Sequence, residues 1–166
     1  MDRRSLDRRQ FIERYGGIYE RSPWVADEAF DLAGDIDDPD DLAAVLARCV
    51  DAAPRKRKFE LICAHPDLAG RAAVAGELTP ESTAEQASAG IDRCTADEYR
   101  RFQELNERYR SKFGFPFVMA VRDSSRHEIL AAFERRLGHD VETEFDTAIR
   151  EIHRIARLRL QAMFDE

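Results

Sequence analysis

Between Thr95 and Gly114 the chain reads TADEYRRFQELNERYRSKFG, and few folds are open to such a stretch. Tyr99, Phe102, Leu105, Tyr109 and Phe113 recur at helical spacing, which gathers them on one face of a helix. Thr95 followed by Glu98 has the pattern of a capping box, in which each side chain satisfies an N–H of the other's backbone, and Gly114 supplies the stop. The same grammar recurs along the chain. Leu6 to Tyr15 carries Phe11, Ile12 and Tyr15 ahead of Gly16 and Gly17. Ser22 and Pro23 open a helix whose stripe of Trp24, Val25, Ala29, Phe30 and Ala33 closes at Gly34, with Trp24, the sole tryptophan, as a core anchor.

An acidic turn, Asp37 to Asp41, feeds a helix over 40–52 that buries Leu42, Val45, Leu46 and Cys49, its acids favourably placed at the positive end of the helix dipole. Pro54 opens the next helix, through Phe59, Leu61 and Ile62, with Arg55 to Lys58 as its solvated start. Thr79 as N-cap with Pro80 behind it starts a helix that runs to a left-handed Gly90. Ser124 or Ser125 caps another, which ends near Leu137 and Gly138. The last helix, about 141–164, aligns Phe145, Ile149, Ile152, Ala156 and Met163. No internal repeat, linker or strand pairing is recognisable. The pattern therefore predicts an all-α, single-domain bundle of about seven to nine helices, with a short non-helical segment near 114–122.

Composition narrows the function. A chain of 166 residues buries about two thirds of the surface it exposes when unfolded, so it needs no staple. A net charge of -7 excludes a general phosphate-binding face, and the expectation is no nucleic acid and no membrane partner. Three cysteines, Cys49, Cys63 and Cys94, without CxxC spacing fit reduced intracellular thiols. Cys63 and His65 would make only half of a zinc site, with no second pair of ligands in view. There is no apolar run long enough to span a bilayer, no signal core in MDRRSLDRRQ and no peroxisomal tripeptide in the terminal MFDE, which predicts a cytoplasmic protein. The Gly16–Gly17 pair is no phosphate loop, and neither HExxH nor GxSxG occurs.

Chemistry concentrates between Ala64 and Gly90. Pro66 disfavours a helical His65, so the apolar run from Phe59 ends there and leaves the imidazole at a helix terminus, where it can point into a cleft. In the helix that follows Thr79, Ser82 and Gln86 are spaced i, i+4 and Glu85 lies three after Ser82, so all three can share one wall of a pocket. FGFPFVMAVR, 113–122, is apolar but broken by a glycine and a proline. Buried irregular backbone must find partners for its N–H and C=O groups, and a polar ligand is one. Arg159 falls on the apolar stripe of the last helix, and a buried charge without a partner costs on the order of 3–5 kcal/mol. Glu85 or a substrate carboxylate would answer it; alternatively the chain end is partly exposed and Arg159 snorkels to solvent.

Read together, YGGIYERSPWVA (15–26), AHPDLAGR (64–71), LTPESTAEQASAGID (78–92), Asn106 and Tyr109 ahead of KFGFPFVMAVR, and the terminal IARLRL resemble the 2-oxo-4-hydroxy-4-carboxy-5-ureidoimidazoline (OHCU) decarboxylases of urate catabolism. The resemblance runs over nearly the whole chain, and HPDLAG, ESxxEQ and FGFPF in this order are specific to it. It implies an all-helical homodimer that converts OHCU to (S)-allantoin and carbon dioxide without cofactor or metal. Carried over by position, it makes His65 the catalytic proton donor and Pro66 a substrate neighbour. Ser82, Glu85 and Gln86 become the wall that holds ring and ureido groups, and Glu85 is further expected to take part in catalysis by orienting His65. The main-chain contacts fall at Phe117, Val118, Met119, Ala120 and Val121, and Arg159 becomes the substrate-binding arginine of the last helix. The competing class is a non-catalytic helical protein that binds a ureide or assembles through the same residues.

Overall fold

A computed structural model describes residues 6–34, 36–70, 73 and 75–165. Among these are eight α-helices and no strand: α1 (Arg8–Tyr15), α2 (Trp24–Ala33), α3 (Pro39–Asp51), α4 (Arg55–Cys63), α5 (Pro80–Ser88), α6 (Ala96–Phe113), α7 (Arg126–Arg136) and α8 (Val141–Phe164), with a single 3-10 turn at Ile91–Arg93. Arg71, which closes the AHPDLAGR motif, lies outside the described residues. The described chain groups into two compact units. One runs up to Ala64 and resumes at Ile152, and the other spans His65–Glu151.

In the first unit, local chemistry sets the helix ends. Asp7 and Gln10 form a reciprocal capping box on α1, a cap the apolar pattern had not flagged. Asp38 accepts from the backbone of Asp40 and Asp41 and places Pro39 at the first position of α3, where a missing N–H costs nothing. Ser22 behaves differently from expectation: its hydroxyl donates back to the Glu20 carbonyl at 2.9 Å, and Pro23 takes the cap position of α2 without a side-chain bond. The core is built by Phe11 and Tyr15 of α1, Val25, Ala29 and Ala33 of α2, Leu42, Leu46 and Val50 of α3, Leu61 and Ile62 of α4, and Ile152, Ala156 and Leu160 of α8.

Two aromatic assignments change. Trp24 is only half-buried and carries the Arg57 guanidinium over its ring at 4.0 Å, with Arg57 also paired to Glu28 at 2.8 Å, so it is a surface platform and not a core anchor. Phe59 is 40% exposed, because α4 turns Leu61 and Ile62 inward and only one of its faces can be covered.

The second unit is centred on α6. The Thr95–Glu98 capping box forms, and Gly114 closes the helix in the left-handed region at φ 80°, a conformation that would strain any residue with a Cβ. Thr79 caps α5 ahead of Pro80, and Ser125, with Glu128, caps α7. From the buried face of α6, Tyr109 meets Phe113, Phe117, Phe133 and Phe115 at centroid distances of 4.4 to 5.9 Å, and Phe117 stacks on Phe133 at 3.9 Å. Each such pair adds about 0.5–1.5 kcal/mol beyond the area it buries. Tyr99, at the start of the stripe, lies at its edge and is 36% exposed.

Candidate active site

α4 stops at Cys63, with Ala64 as its C-cap, and His65 follows in a bend at 7% exposure. That is the break Pro66 imposes. The next residues make a tight loop, in which Ala69 holds φ at +54° and the Gly70 N–H donates to the Asp67 carbonyl at 3.4 Å. A Cβ on Gly70 would stand 2.7 Å from the Asp67 Cβ, so only glycine fits.

α5 brings its polar face to this loop. Ser82 and Gln86 are buried at 5% exposure each and Glu85 is half-buried, as their spacing on one helix face predicts. Gln86 is the contact the structure makes explicit. Its Oε1 accepts the Ala69 N–H at 3.1 Å, and its Nε2 donates to the Asp67 carbonyl at 3.4 Å. Gln86 therefore latches the loop that follows His65 and Pro66, a structural duty in addition to the substrate contact expected of it. A cavity of about 270 Å³ opens between Ala69, Leu78, Thr83, Gln86, Ile91 and Asp92. His65 and Glu85 are not among the residues lining this cavity.

The segment 115–121 is irregular, as its glycine and proline predict, and Phe117, Val118, Ala120 and Val121 are buried, with Met119 half-buried. Side chains from two helices satisfy its backbone. Arg136 of α7 donates to the Val118 carbonyl at 2.7 Å, and Glu151 of α8 accepts the Ala120 N–H at 3.3 Å. Arg136 also lies over the Phe117 ring at 4.3 Å and pairs with fully buried Glu144 at 2.8 Å. Glu144 in turn accepts from the Tyr109 hydroxyl at 2.5 Å and meets His139 at 2.9 Å. This network went unseen in the sequence. The one signal was a tyrosine at a core position of α6, whose hydroxyl needs a partner once buried.

Arg159, in the first unit, is buried at 7% exposure, which decides for a buried guanidinium over one that snorkels from a partly exposed chain end. Its Nη2 donates to Glu20 Oε2 at 2.7 Å, and its Nη1 faces the Gly17 and Ile18 carbonyls at 3.2 and 3.4 Å. The reason is geometric: the Gly16–Gly17 turn folds the chain so that Glu20, 2% exposed, and two carbonyls face the same guanidinium. Nearby, the Tyr19 hydroxyl meets His153 Nδ1 at 2.7 Å, and His153 Nε2 meets Asp51 at 2.9 Å. Burial raises the Tyr19 phenol well above its ordinary pKa of 10.0.

Among the described residues no group of three or more His, Cys, Asp or Glu side chains stands ready to hold a metal ion, and no helix is long and apolar enough to cross a membrane.

These features define a class: an all-helical protein with a buried histidine at a helix break, a polar helix face latched to the loop beyond it, and an irregular apolar segment tied down by side chains. Comparison with known proteins makes the class particular. The family model described as OHCU decarboxylase matches residues 4–161. The OHCU decarboxylase of Haloferax volcanii is 46% identical over 159 residues, 96% of this chain and 92% of the relative. That of Mus musculus is 38% identical over 156 residues, 94% and 87% of the two chains. A crystal structure of (S)-allantoin synthase superposes with a TM-score of 0.75 at 34% identity, covering 95% of this chain and 51% of that one, so the present chain spans about half of that protein. The chain belongs to the OHCU decarboxylase family.

Proposed function

We propose that this protein decarboxylates OHCU to (S)-allantoin in urate degradation. The observation that carries the reading is the family match over residues 4–161, with a buried histidine standing at the family's HPDLAG break. The chemistry accounts for the residue types. In OHCU the carboxylate is one carbon away from an imine carbon. When the C–C bond to the carboxylate breaks and carbon dioxide leaves, its electron pair flows into the C=N bond. The substrate is its own electron sink, and the reaction calls for no metal or pyridoxal. The nitrogen that receives the C=N pair takes up one proton; the enol intermediate then takes a second at the former imine carbon while its hydroxyl gives one up and becomes a carbonyl, so the net step consumes one proton and releases one carbon dioxide.

The protein's task is to orient the carboxylate, to hydrogen-bond the intermediate and to deliver that proton to one face. His65 polarises the hydroxyl or delivers the proton, work suited to an imidazole, whose ordinary pKa is about 6.5. Glu85 orients it and supports its charged form. Pro66, Ser82 and Gln86 bound the ring and ureido groups, and the 117–121 backbone contributes polar contacts. The role of Arg159 as the cation for the substrate carboxylate rests on the family resemblance. The protein acts as a single functional domain, a cytoplasmic homodimer without cofactor.

The test uses OHCU made in situ from urate and follows the loss of its optical signal. The full chain is expected to speed that loss well beyond the spontaneous rate, and His65→Ala to reduce the acceleration about 100-fold or more, within the range ascribed to a positioned acid or base. A His65→Ala protein with wild-type rate contradicts the assignment. Binding without acceleration by the wild-type chain would instead mark a non-catalytic ureide-binding protein.

A further inference from the structure

The loop after His65 is held in an unusual way. Ala69 sits at φ +54°, a conformation that costs an alanine roughly 1–2 kcal/mol, so surrounding contacts must impose it. Those contacts come from one face of α6, where Gln103, Asn106 and Arg110 follow at i, i+3 and i+7. Gln103 Nε2 donates to the Ala69 carbonyl at 2.6 Å. Asn106 Nδ2 donates to the Leu68 carbonyl at 3.0 Å. Arg110 reaches the Asp67 carboxylate with Nη2 at 3.0 Å and Nε at 3.2 Å. Gln86 takes the Ala69 N–H from the α5 side. Every residue from Asp67 to Ala69 is thus tied by a side chain from another helix. The Asn106 amide is 5% exposed, and the bond among the described residues is made by its donor end.

We infer that Gln103, Asn106 and Arg110 are positioning residues for the reaction: this stripe of α6 clamps Asp67–Ala69 and so fixes where the chain presents His65 and Pro66. The inference rests on the reading of His65 as the proton donor. None of the three needs to touch substrate. Their removal lowers the fraction of productive geometry without weakening binding, the kind of displacement that can cost up to about 100-fold in rate.

The experiment uses the full chain and the variants Gln103→Met, Asn106→Leu and Arg110→Met, each of which keeps the stem and removes the donor. Two readouts are taken. The first is amide hydrogen exchange over residues 65–70. The second is kcat and KM for in situ OHCU, with the enantiomeric composition of allantoin measured at excess enzyme. Gln103→Met is expected to speed exchange at Ala69, to lower kcat about 10-fold or more with KM within about twofold, and to admit the wrong enantiomer. Combined with Asn106→Leu it should lose less than the product of the two single losses, since both act through one loop. Wild-type exchange, or faster exchange with wild-type kcat and enantiomeric purity, overturns the inference. Asn106 is buried, and if its variant does not fold, Gln103→Met at its half-buried site decides alone. If the wild-type chain does not accelerate OHCU loss, the proposed function falls, and with it the catalytic half of the inference; the exchange readout still reports separately on the clamp.

Discussion

Replacing Glu20 by alanine breaks a buried ion pair of the first unit. The Glu20 and Arg159 side chains are 1% and 6% exposed and meet at 2.7 Å, so the substitution removes this carboxylate from a buried guanidinium that also faces the Gly17 and Ile18 carbonyls. Breaking a buried pair by removing one partner costs about 3–5 kcal/mol. For a chain of 166 residues, at roughly 2–4 °C per kcal/mol, the melting temperature should fall by about 6–20 °C. The assay is a thermal and a urea melt of wild type, Glu20→Ala, Glu20→Met, Arg159→Met and the double variant Glu20→Met/Arg159→Met. The double variant should recover most of the loss, because an apolar pair of similar volume has no charge to desolvate. A Glu20→Ala protein that melts within about 2 °C of wild type refutes the reasoning, as does a double variant less stable than the sum of the singles.

Three further outcomes follow from individual contacts. The Thr95 N–H and Arg126 hold Glu98 below its ordinary 4.5, and the Thr143 N–H does the same for Asp140 from 3.8; because the unfolded chain takes up these protons first, their stabilisation is present above those ordinary values and lost as pH falls through the lower folded ones. Glu98→Gln should therefore flatten the acid limb of a stability-versus-pH curve. Burial, and then the bond to Glu144, raises the Tyr109 phenol above 10.0, so its contribution is intact below about pH 10 and lost at higher pH; Tyr109→Phe should make the alkaline limb shallower. Ala69→Gly removes the strain at φ +54° and should leave the fold equally stable or up to about 1 kcal/mol more stable by urea melt, whereas marked destabilisation would contradict a strained alanine.

What could be read from the sequence was what is decided within a few residues. Thr95 with Glu98, Thr79 with Pro80, and Gly114 fix helix ends through bonds that span three or four positions, so their residue types announce them. Pro66 ended α4 for an equally local reason, and the glycine and proline of 113–122 marked the irregular segment. Partnerships across the chain left no such trace. Glu20 and Arg159 are 139 positions apart, and Asn106 meets a loop 38 positions earlier. Periodicity placed Arg159 on an apolar stripe but left open whether it is buried or snorkels, and it did not point to Glu20 as a partner. Trp24 and Phe59 misled because helical spacing names an apolar face without telling how much of it other elements cover. The candidate site residues were named through the resemblance, while the side chains of α6 that bond the 67–69 loop became visible only in three dimensions.

The most direct test is the handedness of the allantoin formed when urate is oxidised in the presence of excess protein. A chain that delivers one proton to one face of its intermediate yields the S enantiomer alone, and His65→Ala returns the mixture produced by spontaneous decay. A racemic product from the wild-type chain, formed no faster than in buffer, would contradict the account.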